Sequence, residues 1–166
     1  MKVLASQFRA ARALLELDQE AVAAWIKLDQ QEISRWEGAK YKLLSVDGVN
    51  LRNAFKANGI EFIAGSDDEG AGVRFSKPGA EDHTKRSQFR AARALANLTI
   101  RNLEQVSGVN RNFIFRLEAG KIGGINLDKI RKLEEAFLRL NVRLTERGEK
   151  WGVGARWSVP DPFPDL

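Results

Sequence analysis

The nine-residue stretch SQFRAARAL occurs twice in this chain, at Ser6–Leu14 and again at Ser87–Leu95. A shift of 81 residues aligns Ser6–Lys40 with Ser87–Lys121, and 14 of these 35 positions are identical. A shift of 82 then aligns IEFIAGSDDEGAGVRF with VRLTERGEKWGVGARW without a gap. Self-similarity of this extent indicates a tandem duplication, and therefore predicts two units with the same fold.

Changes in composition divide the chain into four segments. The aligned units occupy residues 1–75 and 87–157. Residues 76–86, SKPGAEDHTKR, are polar and contain Pro78 and Gly79, which is typical of a linker. The stretch 158–166, SVPDPFPDL, has three prolines and two aspartates, so we expect a disordered tail.

Each unit has the pattern of four helices followed by a β-hairpin. In the first unit, Phe8, Ala11 and Leu15 recur at helical spacing on one apolar face. Asp18 and Asp29 are suited to cap the second and third helices. Short β-like stretches follow at Ile60–Ile63 and Gly72–Phe75, and in the second unit at Val142–Thr145 and Gly154–Trp157. The sequence therefore predicts a mainly α fold of two tandem four-helix units, each followed by a short β-hairpin.

The charge of the chain is unevenly distributed. The formal net charge of +5 and the pI near 9.7 favour a polyanionic partner. Residues 1–80 are formally neutral, so the whole excess lies in residues 81–166. Much of that excess is arginine, which suits contacts with phosphates and base edges better than lysine does.

The same composition argues against several other functional classes. The chain has no cysteine, and its one histidine, His83, lies in the linker without companion metal ligands. No apolar run is long enough to span a bilayer, and MKVLASQFRA turns polar before a signal-peptide core develops. We therefore expect a cytoplasmic protein that is not an enzyme and needs no metal or other cofactor.

The segments LDQEAVAAWIKLDQQEISRWEGAK and LTIRNLEQVSGVNRNFIFRLEAGK each contain two short predicted helices joined by a tight turn. They resemble the xenobiotic-response-element/Cro family of helix-turn-helix transcriptional regulators. The residues that carry the resemblance are Gln19, Ala23, Leu28, Ile33, Ser34, Arg35 and Glu37 in the first unit, and Leu103, Gly108, Val109, Ile114, Arg116, Leu117 and Glu118 in the second. The resemblance implies a lambda-repressor-like fold for each unit and binding to double-stranded DNA, with the third helix in the major groove.

Carried over by position, the resemblance assigns base contacts in the first unit to Gln30, Gln31 and Ser34. Paired glutamines at the start of a recognition helix can bind adenine through two hydrogen bonds. Gln19, at the start of the second helix, would lie near a phosphate.

In the second unit the same positions are Arg111, Asn112 and Phe115, with Asn110 as the helix cap. Arginine binds guanine and asparagine binds adenine through paired hydrogen bonds, so this helix has suitable chemistry for base recognition. Three lysines that follow the third helices are candidates for phosphate contacts: Lys40, Lys42 and Lys121.

Both units depart from the family pattern. Lys27 stands where the family has a turn glycine, which is unfavourable if that residue needs a positive φ. In the second unit, Ile100 replaces Gln19. The glutamines of the first unit also have acidic neighbours that would repel phosphate: Glu20, Asp29 and Glu32.

Several residues receive structural assignments. The resemblance implies ion pairs between Arg12 and Glu37 and between Arg93 and Glu118, which would join the first helix to the end of the third. Arg9 and Arg90 are predicted to lie on a solvated helix face, with contact to phosphate as the alternative. Trp25 has two interpretations, because it could add to the core or be an exposed contact for a partner protein.

These features predict a sequence-specific DNA-binding transcriptional regulator, a repressor, with two unlike helix-turn-helix units. The terminal hairpins are expected to supply the contact between the units, as an intramolecular pseudo-dimer or in a homodimer. The alternative is an antiactivator that uses the helix-turn-helix fold to sequester a transcription factor. The neutral first unit and Trp25 motivate that alternative.

Overall fold

The computed structural model describes residues 1–40 and 45–164, and it shows a mainly helical fold with a small antiparallel sheet. The first half of the chain forms α1 (Lys2–Leu14), α2 (Gln19–Trp25), α3 (Gln30–Glu37), α4 (Ser45–Ala57), β1 (Ile60–Ile63) and β2 (Gly72–Phe75). The second half forms α5 (Arg86–Leu95), α6 (Ile100–Ser107), α7 (Arg111–Glu118), α8 (Leu127–Arg139), β3 (Val142–Thr145) and β4 (Gly154–Trp157). The order of elements in the first half therefore recurs in the second.

Each half buries a matching pair of phenylalanines. The rings of Phe8 and Phe55 stack at 6.3 Å between centroids, and those of Phe89 and Phe137 stack at 6.1 Å. All four side chains are almost completely buried. Burial of aromatic side chains is a large source of hydrophobic stabilisation, so these pairs explain why α1 packs near α4, and α5 near α8.

The two hairpins join in one four-stranded sheet with the order β1-β2-β4-β3. The predicted contact between the hairpins is present, because β2 and β4 pair antiparallel at its centre. The pairing is reciprocal: Gly72 faces Arg156, and Gly154 faces Arg74. Gln7 ties this sheet to α1, because its amide nitrogen donates hydrogen bonds to the carbonyl oxygens of Ile63 and Gly72 at 3.2 and 2.9 Å.

A second contact between the halves, which no sequence pattern indicated, is the packing of α1 against α5. Arg9 donates to the carbonyl oxygens of Ala94 and Leu95, at the end of α5, over 2.9 and 3.1 Å. Arg90 donates to the carbonyl oxygen of Ala13, near the end of α1, over 3.2 Å. Carbonyl groups at helix ends lack partners within the helix, so arginine at these positions satisfies groups that would otherwise be unpaired.

The prediction that Arg9 and Arg90 lie on a solvated face is therefore wrong. The side chain of Arg90 is only 11% exposed, and it also forms an ion pair with Glu16 at 3.2 Å. Burial lowers the pKa of both arginines, but each keeps its charge near neutral pH. The apolar face of α1 is wider than the sequence pattern indicated, because it contacts the other half of the chain as well as its own core.

The segments outside the predicted units also make specific contacts. The side chain of Asp82 accepts hydrogen bonds from the amides of Thr84 and Arg86, so α5 begins at Arg86. In the stretch predicted to be a disordered tail, the ring of Phe163 packs edge-to-face against Trp157 at 5.1 Å. The prolines of this stretch suggested disorder, but they do not prevent one aromatic side chain from finding a partner on β4.

Candidate nucleic-acid interface

The pair α6 and α7 has the local geometry of two helices joined by a tight turn. Thr99 caps α6, because its hydroxyl oxygen accepts a hydrogen bond from the backbone amide of Asn102 at 3.0 Å. Gly108 follows α6 with a φ of 72°, a conformation that glycine adopts without strain. Asn110 caps α7, because its side-chain oxygen accepts a hydrogen bond from the backbone amide of Asn112 at 2.8 Å. Glycine and the cap residue therefore fix the angle at which α7 leaves the turn.

One side of α7 is buried and the other is open to solvent. Phe113, Ile114 and Leu117 pack into the core. Arg111 and Asn112 are exposed in the first turn, and Phe115 is 58% exposed one turn further along. The backbone amide of Arg111 donates to the Glu104 carboxylate at 2.6 Å, which fixes the start of the helix. The structure thus brings Arg111, Asn112 and Phe115 to one exposed surface of a helix whose start is held by hydrogen bonds.

In the first half, α2 and α3 are linked by a chain of polar contacts. The amide nitrogen of Gln30 donates to the amide oxygen of Gln19 at 2.6 Å. Gln19 in turn donates to a carboxylate oxygen of Glu37 at 2.8 Å. Gln19 therefore contacts Gln30 and Glu37, while Gln31 and Ser34 are exposed on α3. This arrangement restricts the orientation of the Gln30 amide at the start of the helix.

The carboxylate of Glu37 ends that chain, where it also binds Arg12. The Nε atom of Arg12 lies 2.6 Å from Glu37 Oε1, and Nη2 lies 3.1 Å from Oε2. The same paired contact joins Arg93 to Glu118, at 2.8 and 2.7 Å. Both carboxylates are almost fully buried, so each depends on its arginine for compensation. These pairs hold α1 to the end of α3 and α5 to the end of α7.

The turn between α2 and α3 differs from its equivalent in one respect. Lys27 has a φ of 57°, where Gly108 has 72° in the second half. The fold therefore requires the left-handed conformation at this position, and in the first half it is imposed on a lysine. Because a side chain in that conformation is strained, this turn is less favourable than the turn between α6 and α7.

The structure describes two of the three lysines that were assigned to phosphate contacts. Lys40 and Lys121 are exposed just beyond α3 and α7. Lys42 lies outside the residues that the structure describes. Two further exposed arginines were not selected from the sequence: Arg101 in the first turn of α6 and Arg116 on α7. Both lie in the helix-turn-helix segment, and this position could have identified them. Arg101 also replaces the acidic Glu20 of the first half, which is a change in favour of phosphate binding.

Trp25 is partly buried. Its ring packs edge-to-face against Phe55 at 5.3 Å between centroids. The indole therefore adds to the core of the first half, and only part of its surface is open to a partner. Of the two interpretations of Trp25, these contacts favour the structural one.

Residues 89–138, which include α6, α7 and most of α5 and α8, match the helix-turn-helix family model. This match indicates a DNA-binding transcription regulator of the helix-turn-helix class. Comparison with curated proteins and with solved structures gave no match.

Within residues 1–40 and 45–164, no three His, Cys, Asp or Glu side chains are grouped so that they could hold a metal ion. None of the helices in this part of the chain is long and apolar enough to cross a membrane.

Proposed function

We propose that this chain is a sequence-specific transcriptional regulator, a repressor, with two tandem helix-turn-helix units and two unlike recognition helices, α7 and α3. The role is binding and not catalysis. The observation that carries the proposal is the exposed pair Arg111 and Asn112 at the start of α7, inside the segment that matches the helix-turn-helix model. Arginine can bind guanine, and asparagine can bind adenine, through two hydrogen bonds each.

The other residues of α7 support the same role. Phe115 exposes an apolar ring that can contact the methyl group of thymine. Asn110 caps the helix and so holds the first turn, which carries Arg111 and Asn112. Lys121 follows the helix, where a lysine can contact the DNA backbone and fix the orientation of the protein without selecting a sequence.

The first half is proposed to contribute a weaker and different contact. Gln30 and Gln31 are suited to adenine, and the bond from Gln30 to Gln19 leaves fewer orientations to be lost on binding. The acidic residues near this helix reduce the attraction to phosphate. The negative charge of Glu32 is partly offset, because Glu32 forms an ion pair with Arg35 at 2.9 Å. The major share of affinity is therefore assigned to α7, with α3 adding selectivity.

An intramolecular pseudo-dimer is favoured over a homodimer. The pairing of β2 with β4 and the packing of α1 on α5 join the two units within one chain. Two recognition helices held at a fixed separation would select half-sites about one helical turn apart. Because α3 and α7 carry different side chains, the two half-sites should differ in sequence. Occupation of such a site within a promoter would block transcription.

Selection of bound sequences from a random pool of duplex DNA tests this proposal. We expect one preferred asymmetric site, with affinity that falls steeply as salt increases. On that site, Arg111→Ala should cost about 1–3 kcal/mol and relax the preference at one base pair. Lys121→Ala should weaken binding to all sequences alike. It should also reduce the slope of log affinity against log salt concentration by about 1.

Arg131→Ala is the matched control, because Arg131 is exposed on α8 and outside the proposed contact surface. It should leave sequence preference unchanged. A protein that binds selected and random duplexes equally at moderate salt would contradict the proposal.

That result would favour the alternative function, an antiactivator that binds a transcription factor through the first half. The acidic residues around α3 support this alternative, whereas the packing of Trp25 against Phe55 weakens it. Exchange of Gln30 and Gln31 for alanine would then affect binding to the partner factor and not to DNA.

A further inference from the structure

Two grooves occupy equivalent places in the two halves, each between a long helix and an edge strand of the sheet. The groove between α4 and β1 has a volume of about 540 Å³, and the groove between α8 and β3 about 120 Å³. A shift of 82 residues relates their lining, with Arg52 in place of Glu134 and Lys56 in place of Leu138. The two grooves therefore share a position in the fold but differ in size and charge.

The smaller groove already holds a charged side chain from outside the helix and strand that form it. Lys85, in the segment before α5, places its Nζ atom 2.8 Å from Glu134 and 3.4 Å from Glu146. Burial opposes the charge of Lys85, but the hydrogen bonds and charges of the two glutamates raise its pKa above the ordinary value. This groove thus binds a side chain whose charge is opposite to that of its lining.

The larger groove has cations without matching anions. Within the described residues, neither Arg52 nor Lys56 makes an ion pair, and the Arg52 guanidinium lies 5.4 Å from the centre of the Phe62 ring. Glu61 also lines the groove, but both of its carboxylate oxygens accept hydrogen bonds from Arg74 at 2.9 Å. At the position equivalent to Lys85, α1 carries the uncharged Leu4. Two positive charges are therefore available for an acidic group.

Beside these cations, α4 exposes two valines at positions where α8 carries charged residues. Val46 and Val49 are 61% and 56% exposed. Their equivalents on α8 are Asp128 and Arg131, which form an ion pair with each other at 2.9 Å. The second half thus carries solvated charges where the first half carries exposed valines. An exposed apolar surface next to a groove is typical of a site that binds another protein.

The strand that forms the other wall can also accept a partner. Because β1 is at the edge of the sheet, the outer side of its backbone has no neighbouring strand in the described structure. Every second residue of such a strand directs its N–H and C=O groups outward, where an extended peptide can pair with them.

We propose that the groove between α4 and β1 binds an extended acidic segment of a partner protein, which adds a strand beside β1 and places a carboxylate between Arg52 and Lys56. A second copy of this chain is a poorer occupant, because two identical grooves would bring like charges together. The apolar lining favours a peptide over DNA. This interaction is separate from the proposed binding of DNA and does not depend on it.

The test uses the full-length chain and two fluorescein-labelled heptapeptides with blocked ends, one alternating valine with glutamate and the other valine with lysine. Fluorescence anisotropy should show at least about tenfold tighter binding of the glutamate peptide, since both groove cations favour it. The amide resonances of β1 should shift on binding. The variant R52E/K56E introduces the charge found at Glu134, and should bind the lysine peptide in preference. An unfolded variant could not produce this reversal.

R131E/K132E is the matched control, with the same change of charge on the surface of α8. It should keep the preference for the glutamate peptide. The proposal is overturned if R52E/K56E retains the original preference, or if the control reverses it as well. Unlabelled duplex DNA separates the two classes of partner: displacement of the glutamate peptide, together with weaker DNA binding by R52E/K56E, would assign these cations to DNA.

Discussion

Individual residues at the helix ends differ in how well they suit a backbone conformation that both halves share. Equivalent positions with positive φ are Glu16 and Asn97, Lys27 and Gly108, Ala39 and Gly120, and Gly59 and Asn141. The second half has glycine or asparagine at all four, the residue types that adopt this conformation at the lowest cost. The first half has them only at Gly59. Three of its four positions, Glu16, Lys27 and Ala39, are therefore strained by the residues that occupy them.

Lys27→Gly should stabilise the protein. Relief of the left-handed strain exceeds the added entropy of glycine in the unfolded chain, so we expect a gain of about 0.5–1 kcal/mol in the free energy of unfolding. Urea denaturation measures it. Lys132→Gly makes the same chemical change inside α8 and should destabilise by about 1 kcal/mol. Destabilisation by both changes would show that the turn does not strain Lys27.

Glu61 gives a pH-dependent contribution to stability. Its hydrogen bonds with Arg74 lower its pKa, so this contribution is present above the unfolded-state pKa of about 4.3 and is lost as pH falls through the folded-state value. Glu61→Gln should lower stability at pH 7 by less than about 1 kcal/mol, because the pair is near the surface. The urea midpoints of the two proteins should converge once the pH has fallen below the folded-state pKa of Glu61. A constant difference across this range would contradict the assignment.

The sequence predicted some arginine contacts and missed others for a definable reason. Arg12 and Glu37 could be paired because the resemblance relates two positions of one unit. Arg9 binds Ala94 and Leu95, which belong to the other half, so no pattern inside one unit could identify them. The contact of Arg90 could not be predicted for the same reason, because its partner Ala13 belongs to the first half. The exposure of Phe115 was accessible to sequence reasoning, because it lies on the helix face opposite Ile114 and Leu117.

At the level of elements, the central pairing of β2 with β4 depends on two glycines. A methyl group on Gly154 would overlap the carbonyl oxygen of Val73 and lie 2.6 Å from the Cα atom of Arg74. Gly72 has the reciprocal position against Ala155 and Arg156. The hairpins and their contact followed from the repeated β-like stretches. The packing of α1 on α5 did not, because small alanine side chains give no sign of which helix they face.

Gly154→Ala should therefore weaken the central pairing. We expect a loss of about 1–3 kcal/mol in the free energy of unfolding, typical of a group forced into a packed site. Gly123→Ala is the control, because a methyl group there meets no atom within 4 Å and the backbone has no positive φ. Thermal unfolding of both variants measures the difference. Equal midpoints would contradict the prediction, because they would mean that β2 and β4 can move apart to admit the methyl group without loss of stability.

In the whole molecule, each half covers surface that the other would expose. The shared sheet and the reciprocal arginines predict that a chain cut between Gly79 and Ala80 reassembles from its two fragments. Sedimentation should show a one-to-one complex, and circular dichroism should show more helix in the mixture than in the separate fragments. Gly154→Ala in the second fragment should weaken assembly, whereas Gly123→Ala should not. Two fragments that sediment separately, each with full helix content, would contradict this prediction.

If both recognition helices bind DNA as proposed, the joining of β2 and β4 within one chain would also set how DNA occupancy depends on the abundance of the protein. A regulator that must first dimerise fills its target in proportion to the square of its monomer concentration, as long as monomers predominate. A chain that carries both recognition helices needs no such encounter, so occupancy at low concentration rises in direct proportion to the number of molecules. Halving that number removes roughly half of the bound state and not three quarters of it. Under the proposed function, the fused sheet would therefore give a gradual dose response in place of a threshold.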